Sequence, residues 1–243
     1  RAGMRRVPSH LPARPMLEVG SQIEVRLQSG AKQVFTVRGQ RGAGGQGVLY
    51  TITGHDQRPA VLKTPGLRGV IASDIERRIL EKLPGHRNIV RLLGIATVQS
   101  VECAVLAFGH ENPFQRINRQ ELSETVGPFR TAGAPRLALP ATTAIEMIQE
   151  ILAALEHVHL NGYVHGDLKS ANVLVEFQSN RTRLSNREYF SLLQQRAFHT
   201  LLIDFGTTRS KSYLANVGKQ DEAIVPPEFT PLYAPPEIVR GIG

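Results

Sequence analysis

The sequence predicts an α+β fold in which strands dominate up to residue 108 and helices dominate afterwards. Three observations carry this prediction. Apolar and polar residues alternate from Gln22 to Leu27, and Ser29-Gly30 then reverses the chain into Val34–Val37, which is typical of a β-hairpin. Short apolar runs separated by glycines and polar turns continue to residue 108. Apolar residues then recur every three or four positions over 145–159, which is typical of a helix, and the order of strands before helices favours α+β.

The composition is that of an ordinary globular chain. Of the 243 residues, 41% are hydrophobic and 21% are charged, which are values of folded rather than disordered proteins. Neither a run of about 18 apolar residues nor a secretory signal is seen in the sequence, so we expect no membrane span and a cytoplasmic protein. The single cysteine, Cys103, excludes an intrachain disulfide, and we expect it to be buried in a strand.

The net charge of +8 raises the question of an anionic partner such as nucleic acid or acidic lipid. No stretch interleaves aromatic residues with Arg and Lys in the way that single-strand binders do. We therefore favour a solvated basic surface and expect no nucleic-acid partner. Residues 1–20 are predicted to form a flexible basic leader, because arginines and prolines occur there without any period.

A glycine-rich segment begins at Gly42, between a strand predicted to end near Arg38 and another predicted to run to Thr53. Together with Gly44 and Gly47 it fits the pattern G-x-G-x-x-G, which is weak evidence alone because four glycines can also make a plain turn. A dinucleotide-binding fold would place a helix next. Here a strand follows instead, so the segment is predicted to be a glycine-rich connection between two strands.

Two ionisable residues follow in predicted regular elements. Lys63 closes an apolar strand, where a lysine is usually just a strand end that meets solvent. Ser73 is predicted to open the next helix, in which Glu76 would complete a capping box. Glu76 also lies on the apolar face of this helix, four residues before Leu80, which favours an inward position over the capping role.

The most informative stretch is H-G-D-L-K-S-A-N at 165–172, which is flanked by two apolar runs. This layout suits a loop between buried elements that turns its polar side chains into one cleft. Asp167, Lys169 and Asn172 can together serve phosphoryl transfer, because they offer a group that orients a hydroxyl, a positive charge and a Mg²⁺ ligand. Further along, an apolar strand ends at Asp204 in D-F-G, where an aspartate is either an ordinary turn residue or a second metal ligand.

These motifs resemble those of eukaryotic-type Ser/Thr protein kinases. The loop is similar to H-R-D-L-K-x-x-N with Gly166 in place of the arginine, D-F-G follows it, and 230–237 is similar to the end of a kinase activation segment. The resemblance implies a bilobal kinase-like fold with a β-rich N-lobe at 21–108 and a mainly helical, incomplete C-lobe at 109–243. An insertion unusual for the family is expected at about 176–200, with a helix running from 186 to 199.

The resemblance also implies ATP and Mg²⁺ (or Mn²⁺) as cofactors and a protein hydroxyl as substrate. Four residues are implied to position the hydroxyl, offset charge or orient the phosphates: Asp167, Lys169, Lys63 and Glu76. Glu76 falls where the family has a glutamate that pairs with this lysine, so we favour it as the ion-pair partner of Lys63. Two are implied to hold the metal: Asn172 and Asp204. Those implied to line the nucleotide site are Gly42, Gly44, Gly47, Leu49, Val61, Lys63, Leu106 and Phe108.

Gly166 has an implication of its own. In the family, the arginine at this position pairs with a phosphorylated activation segment, so we expect that switch to be absent or different here. The residues that remain candidates for phosphorylation after D-F-G are Thr207, Thr208, Ser210, Ser212 and Tyr213.

Two alternatives stay open. Small-molecule kinases of the aminoglycoside or choline type also carry H-G-D, although Lys169 and the segment 230–237 disfavour them. A non-catalytic kinase-like scaffold is favoured by the lack, in this chain, of the family's helices beyond that segment. Every catalytic position carries the family's residue, so we favour an active Ser/Thr protein kinase. We expect the native protein to continue past Gly243, or this piece to be marginally stable alone.

Overall fold

The computed structural model of the protein describes residues 16–44, 47–66, 70–117 and 139–212. These residues divide into two compact units. The first unit contains the described residues up to Asp74 together with Leu92–Leu106, and the second contains Ile75–Arg91 and the described residues from Ala107 onward. Among the helices of the described stretches, none is long and apolar enough to cross a membrane.

The first unit contains a closed barrel of six strands. Their bounds are β1 Gln22–Leu27, β2 Lys32–Gly44, β3 Gly47–Thr53, β4 Pro59–Pro65, β5 Leu92–Val98 and β6 Val101–Ala107. Around the barrel they lie in the order β1-β2-β3-β4-β6-β5. Alternate residues point inward and form one apolar core, as Ile23 and Val25 do on β1. Cys103 belongs to this core, as predicted, and burial raises the pKa of its thiol to about 12.

The strand β2 is longer than the sequence indicates. It was predicted to end near Arg38, but it runs to Gly44, where it pairs with Gly47 on β3. Its register with β3 shifts twice, between Val37 and Gly39 and again between Gln40 and Gly42. Each shift breaks the two-residue period by which the strand was predicted. The prediction of a separate glycine loop after Arg38 is therefore wrong, because Gly42 and Gly44 lie within the strand.

The first strand closes the barrel. β1 pairs antiparallel with β2 on one side and with β5 on the other, for example through Val25, which lies opposite Gln33 and Ala96. As a result, neither β2 nor β5 has a free edge along these residues. Free strand edges expose unpaired N–H and C=O groups that can pair with other chains, so β1 protects the unit against association.

We expect deletion of residues 16–28 to destabilise and aggregate the protein. The deletion removes the buried side chains of Ile23 and Val25, worth roughly 3–6 kcal/mol at about 1.5–3 kcal/mol each, and it exposes two strand edges. Thermal unfolding and size-exclusion chromatography would report both effects. Glu24→Gln is the matched control, because it removes only an exposed ion pair to Lys32 at 2.8 Å. A deletion variant that stays monomeric with an unchanged unfolding midpoint would contradict the prediction.

The second unit combines helices with two small sheets. Helix α1 spans Val70–Lys82, and its part from Ile75 onward belongs to this unit. The other elements are β7 His110–Glu111, α2 Ala141–Leu160, β8 Tyr163–Val164, β9 Val173–Phe177, α3 Asn186–Gln194, β10 Phe198–Leu202 and β11 Arg209–Ser210. One sheet has the strand order β10-β9-β7, and the other pairs β11 with β8. The loop 165–172 connects β8 to β9, so it lies between two strands as the sequence indicates.

Helix α1 differs from its prediction at the N-terminal end. The helix already includes Val70, so Ser73 lies inside it, 6% exposed, and does not cap it. The predicted helix start at Ser73 is therefore wrong, and the alternative in which Glu76 completes a capping box with Ser73 is excluded. The inward position of Glu76 is confirmed, since only 1% of its surface is exposed.

The insertion is also organised differently from the prediction. Helix α3 begins at a capping box, in which Ser185 accepts a bond from the Glu188 N–H at 3.2 Å and the Glu188 carboxylate accepts one from the Ser185 N–H at 2.9 Å. The helix ends at Gln194 rather than at residue 199, because Phe198 already belongs to β10. The apolar side chains of the insertion join a core with α2 and β9, formed by Met147, Val175, Phe177, Tyr189, Leu193 and Phe198.

Some predictions concern parts of the chain outside the described residues. These are most of the basic leader, Tyr213 and the segment 230–237.

Candidate active site

The loop 165–172 brings together the three polar residues that the sequence singles out. The Lys169 ammonium donates to Oδ2 of Asp167 at 2.5 Å. The Asn172 side-chain NH₂ donates to Oδ2 of Asp167 at 3.1 Å and to its main-chain carbonyl at 2.8 Å. Asp167 and Asn172 are 7% and 4% exposed, so these bonds are largely shielded from water. A carboxylate, an ammonium and an amide therefore share one small, pre-organised site.

His165 anchors the start of this loop. The Asp167 N–H donates to Nδ1 of His165 at 3.3 Å, so Nε2 carries the ring proton and donates to the Ile203 carbonyl at 3.0 Å. Burial lowers the pKa of His165 below its usual value, which keeps the ring neutral near pH 7. The ring also packs edge-on against Phe205, with 4.9 Å between the centroids. These contacts tie the loop to the segment that carries Asp204.

Asp204 lies at a turn two residues after the end of β10. Its backbone is left-handed, with φ 66° and ψ 72°, a region that Asp tolerates better than most residues. The Ile203 N–H donates to the Asn172 carbonyl at 3.0 Å, so Asp204 follows a residue that is bonded directly to Asn172. On the other side, the Phe205 N–H donates to Oε1 of Glu76 at 3.3 Å. Glu76 therefore helps to hold the turn on which Asp204 lies.

Two threonines connect the segment after Asp204 to the loop. The hydroxyls of Thr207 and Thr208 both donate to the His165 carbonyl, at 3.0 and 3.3 Å, and both residues are buried. They are thus poor candidates for phosphorylation in this conformation, whereas Ser210 and Ser212 lie nearer the surface. Gly166, which follows His165, has φ +84°, and a Cβ there would lie 3.1 Å from the Thr207 carbonyl. An arginine at position 166 would therefore strain the loop in addition to adding charge.

In the barrel, strand register places most of the predicted nucleotide residues on one face. Gly42 pairs with Leu49, and Leu49 pairs with Lys63, so the three form a row across β2, β3 and β4. Directly paired residues lie on the same face of a sheet, and Val61, two residues before Lys63, shares this face. Leu106 on β6 also points outward, because its neighbour Val105 points into the barrel core. The row therefore lies on the outer face of the barrel, where Lys63 is nevertheless only 9% exposed.

Three further predicted residues are placed differently. Gly44 ends β2, opposite Gly47. Gly47 has φ +144°, and a Cβ there would lie 1.9 Å from the Thr64 carbonyl, so the strand pairing itself requires glycine. Phe108 follows β6, belongs to the second unit and is 8% exposed.

The structure separates two glycines that look equivalent in sequence. We expect Gly47→Ala to lower the free energy of unfolding by about 1–3 kcal/mol or more, because its Cβ meets the backbone. Gly42→Ala should change that free energy by less than about 0.5 kcal/mol, since a Cβ there meets nothing within 4 Å. Instead it should weaken ATP binding if the outer face takes the nucleotide. Urea unfolding and nucleotide titration of both variants test the pair, and equal losses of stability would be the contrary result.

The candidate metal ligands and the face that carries Gly42 and Lys63 fit Mg²⁺ and ATP, the cofactors that the resemblance implies. Both NH₂ hydrogens of Asn172 are directed to Asp167, so its Oδ1 is the atom left on the opposite side of the amide. The Asp204 carboxylate lies one residue beyond the Ile203–Asn172 hydrogen bond. Amide and carboxylate oxygens are the ligands that Mg²⁺ prefers. The open space at Gly42, on the same face as Lys63, suits the close approach of phosphates.

Sequence reasoning missed one buried residue near the loop, Asn112. It is 1% exposed and donates to two carbonyls of the loop region, those of Ser170 and Val173. A local signal was present, since Asn followed by Pro113 is typical of a helix start with an N-cap and proline at the first position. What the signal lacked was any hint of bonds to residues about 60 positions away.

Comparison with known proteins identifies the family. Residues 35–243, which make up most of the chain, match the protein kinase domain family. The human serine/threonine-protein kinase Kist is 29% identical over 158 residues, 58% of this chain and 35% of that protein. The serine/threonine-protein kinase VRK1 of Caenorhabditis elegans is 24% identical over 179 residues, 70% of this chain and 29% of that protein.

A viral relative extends the comparison. The serine/threonine-protein kinase US3 of human herpesvirus 1 is 26% identical over 141 residues, 58% of this chain and 26% of that protein. The chain thus spans about a third or less of the length of these relatives. The barrel-closing strand Gln22–Leu27 precedes the matched residues, whereas every residue of the candidate site lies within them. The chain belongs to the protein kinase domain family.

Proposed function

We propose that this chain transfers the γ-phosphoryl group of ATP to a serine or threonine hydroxyl of a protein substrate. The observation that carries the proposal is the contact of Asp167 with both Lys169 and Asn172 within one loop, in which Asp167 and Asn172 are buried. Such a group of side chains is suited to phosphoryl transfer, in which positioning and charge stabilisation do most of the work.

In this proposal each member of the loop has its own role. Asp167 orients the attacking hydroxyl and accepts its proton. Lys169, already held against Asp167, offsets the charge that develops on the moving phosphoryl group. Asn172 and Asp204 hold Mg²⁺, which when bound neutralises phosphate charge. Glu76 contributes by keeping the turn at Asp204 in place through the Phe205 N–H.

The nucleotide is proposed to bind the outer face of the barrel. Lys63 would neutralise the α/β-phosphates and pair with Glu76, while Gly42 and its neighbours on the hairpin would lie against the phosphates. The apolar residues Leu49, Val61, Leu106 and Phe108 would surround the adenine. The support for this arrangement is the common face of Gly42, Leu49 and Lys63.

We also propose that the barrel unit is the N-lobe and the second unit a partial C-lobe. The predicted boundary after residue 108 lies close to the division between Leu106 and Ala107, although 75–91 groups with the second unit. Specificity for Ser/Thr rather than Tyr is supported by Lys169 in D-L-K and by the names of the relatives, all three of which are serine/threonine-protein kinases.

The test is transfer of radiolabelled phosphate from ATP–Mg²⁺ to a basic protein and to the chain itself. It should be run on this chain and on a longer chain that continues past Gly243, each with Lys63→Met and Asp204→Asn. We expect transfer by the longer chain at least, abolished by either substitution, with phosphoserine or phosphothreonine as product.

Other outcomes point to other functions. Nucleotide binding without transfer by either chain would overturn the proposal in favour of a non-catalytic scaffold. Transfer to amino alcohols or sugars but not to protein would indicate a small-molecule kinase.

A further inference from the structure

Asn112 is a buried amide whose capacity for hydrogen bonds is used in two directions. It lies between β7 and a helical segment at 113–117 and is 1% exposed. Its Oδ1 accepts a bond from the Gln115 N–H at 3.0 Å, which caps that helical segment. Its NH₂ group points the other way, toward the loop that carries the candidate catalytic residues.

The two hydrogen bonds that this amide donates go to carbonyls at the start and just beyond the end of one turn. Nδ2 donates to the Ser170 carbonyl at 2.6 Å and to the Val173 carbonyl at 2.8 Å. Between these carbonyls lies the 3₁₀ turn Ser170–Asn172, which ends at the proposed metal ligand. Within the loop, the Asn172 N–H donates to the Lys169 carbonyl at 2.9 Å, the Val173 N–H donates to the Ser170 carbonyl, and the Asn172 side chain donates to Asp167. From outside the loop, the Asn172 carbonyl accepts from the Ile203 N–H. Asn112 adds two bonds to the backbone on either side of Asn172.

An amide is the side chain that this position demands. An asparagine offers two donors and an acceptor on a short stem, so one residue can cap the helical segment and bridge two carbonyls. An aspartate of nearly the same shape would keep the cap but would place a carboxylate oxygen against two carbonyl oxygens. Because all three groups would then be acceptors, the turn would be pushed away.

The segment that carries Asn112 is itself held from the other side by the insertion. The Tyr189 hydroxyl donates to the Glu111 carbonyl at 2.6 Å, and the Arg116 guanidinium donates to the Leu184 carbonyl at 2.6 Å. The Arg116 guanidinium also lies 4.4 Å from the centre of the Tyr189 ring. Asn112 thus projects from a fixed backbone, which is what a group that positions another residue requires.

We infer that Asn112 is a positioning residue for the metal site: it sets the turn at 170–172 and so directs the Oδ1 of Asn172 toward Mg²⁺. This inference rests on the metal role proposed for Asn172. It assigns Asn112 no contact with substrate or nucleotide. Its effect runs through the turn, in the way that outer-shell residues orient metal ligands.

The test compares Asn112→Asp with Leu193→Val in the whole chain. Leu193→Val trims a buried side chain of the insertion and makes no change near the turn, so it controls for a general loss of stability. Amide hydrogen exchange without nucleotide or metal is the first measurement. Exchange at Asn172 and Ile203 should become about tenfold faster in Asn112→Asp, as expected for the loss of about one net hydrogen bond, and should stay unchanged in the control.

The second measurement is Mn²⁺ affinity in the presence of a non-hydrolysable ATP analogue. We expect Asn112→Asp to weaken it about tenfold, at the lower end of the range for outer-shell substitutions, while metal-free binding of the analogue stays unchanged. Unchanged exchange at the turn would overturn the inference. So would faster exchange with native Mn²⁺ affinity, or equal losses in both variants.

These outcomes are separable from failure of the proposed function. If the unsubstituted chain transfers no phosphate but loses Mn²⁺ affinity in Asn112→Asp, the function is overturned and the inference stands. If the unsubstituted chain binds no Mn²⁺ with the nucleotide analogue, the metal role of Asn172 fails and the inference falls with it.

Discussion

Replacing Asp167 with asparagine is expected to slow phosphoryl transfer by about 10²–10⁴-fold, the range found for loss of a general base. The carboxylate is the acceptor for Lys169 at 2.5 Å and for Asn172 at 3.1 Å, so it organises the loop as well as the substrate hydroxyl. An amide of the same size keeps one acceptor oxygen but loses the charge. We therefore expect the turnover number to fall far more than the affinity for ATP changes.

Steady-state kinetics with ATP and a protein substrate, together with a nucleotide titration, would check this prediction. Asp56→Asn is the matched control, because it makes the same chemical change in an exposed turn between β3 and β4. The control should retain native turnover. A native turnover number in Asp167→Asn would show that this carboxylate does not serve the reaction, whereas a parallel loss of ATP affinity would assign it a binding role.

The loop that carries Asp167 could be predicted because its information is local. Residues at i, i+2 and i+5 in one loop lie close together whatever the rest of the fold does, and the flanking apolar runs mark the strands β8 and β9. The same holds for Asp204, which directly follows a short apolar strand. Sequence patterns of this kind fix chemistry and spacing in the same few residues.

The barrel face could not be predicted in the same way. Gly42, Leu49 and Lys63 share a row only because of the register between β2, β3 and β4, and two register shifts in β2 precede Gly42. A shift of one residue moves a side chain to the other face of the sheet. Period-based reasoning therefore ended β2 too early and gave no basis for placing its glycines on a particular face.

Long-range contacts could not be predicted from the sequence for a further reason. The pairing of β1 with β5 and the bonds of Asn112 to the loop join residues about 60 to 70 positions apart. Alternation in β1 shows that it is a strand but says nothing about which strands it pairs with. Likewise, the helical period of α3 identified its apolar face but not its C-terminal end. Phe198 fits the helical pattern, although in the structure it is the first residue of β10.

Among single substitutions, the one with the largest expected effect on stability lies in the insertion. Leu193→Ala is expected to lower the free energy of unfolding by about 2–5 kcal/mol, as large-to-small substitutions in a packed core do. Leu193 is 1% exposed and joins a core with Met147 of α2 and with Val175 and Phe177 of β9. Truncating this side chain therefore opens a cavity beside α2 and β9, and not only within the insertion.

Chemical unfolding of Leu193→Ala and Gln194→Ala would separate two views of this insertion. Gln194 is the exposed neighbour in the same helix, so its truncation changes helix propensity slightly and leaves the core intact. If the insertion only covered its own apolar face, the two variants would unfold the rest of the chain at the same denaturant concentration. Because Tyr189 and Arg116 also bond the insertion to the segment of Asn112, we expect Leu193→Ala to shift the whole transition, whereas Gln194→Ala should leave it nearly unchanged.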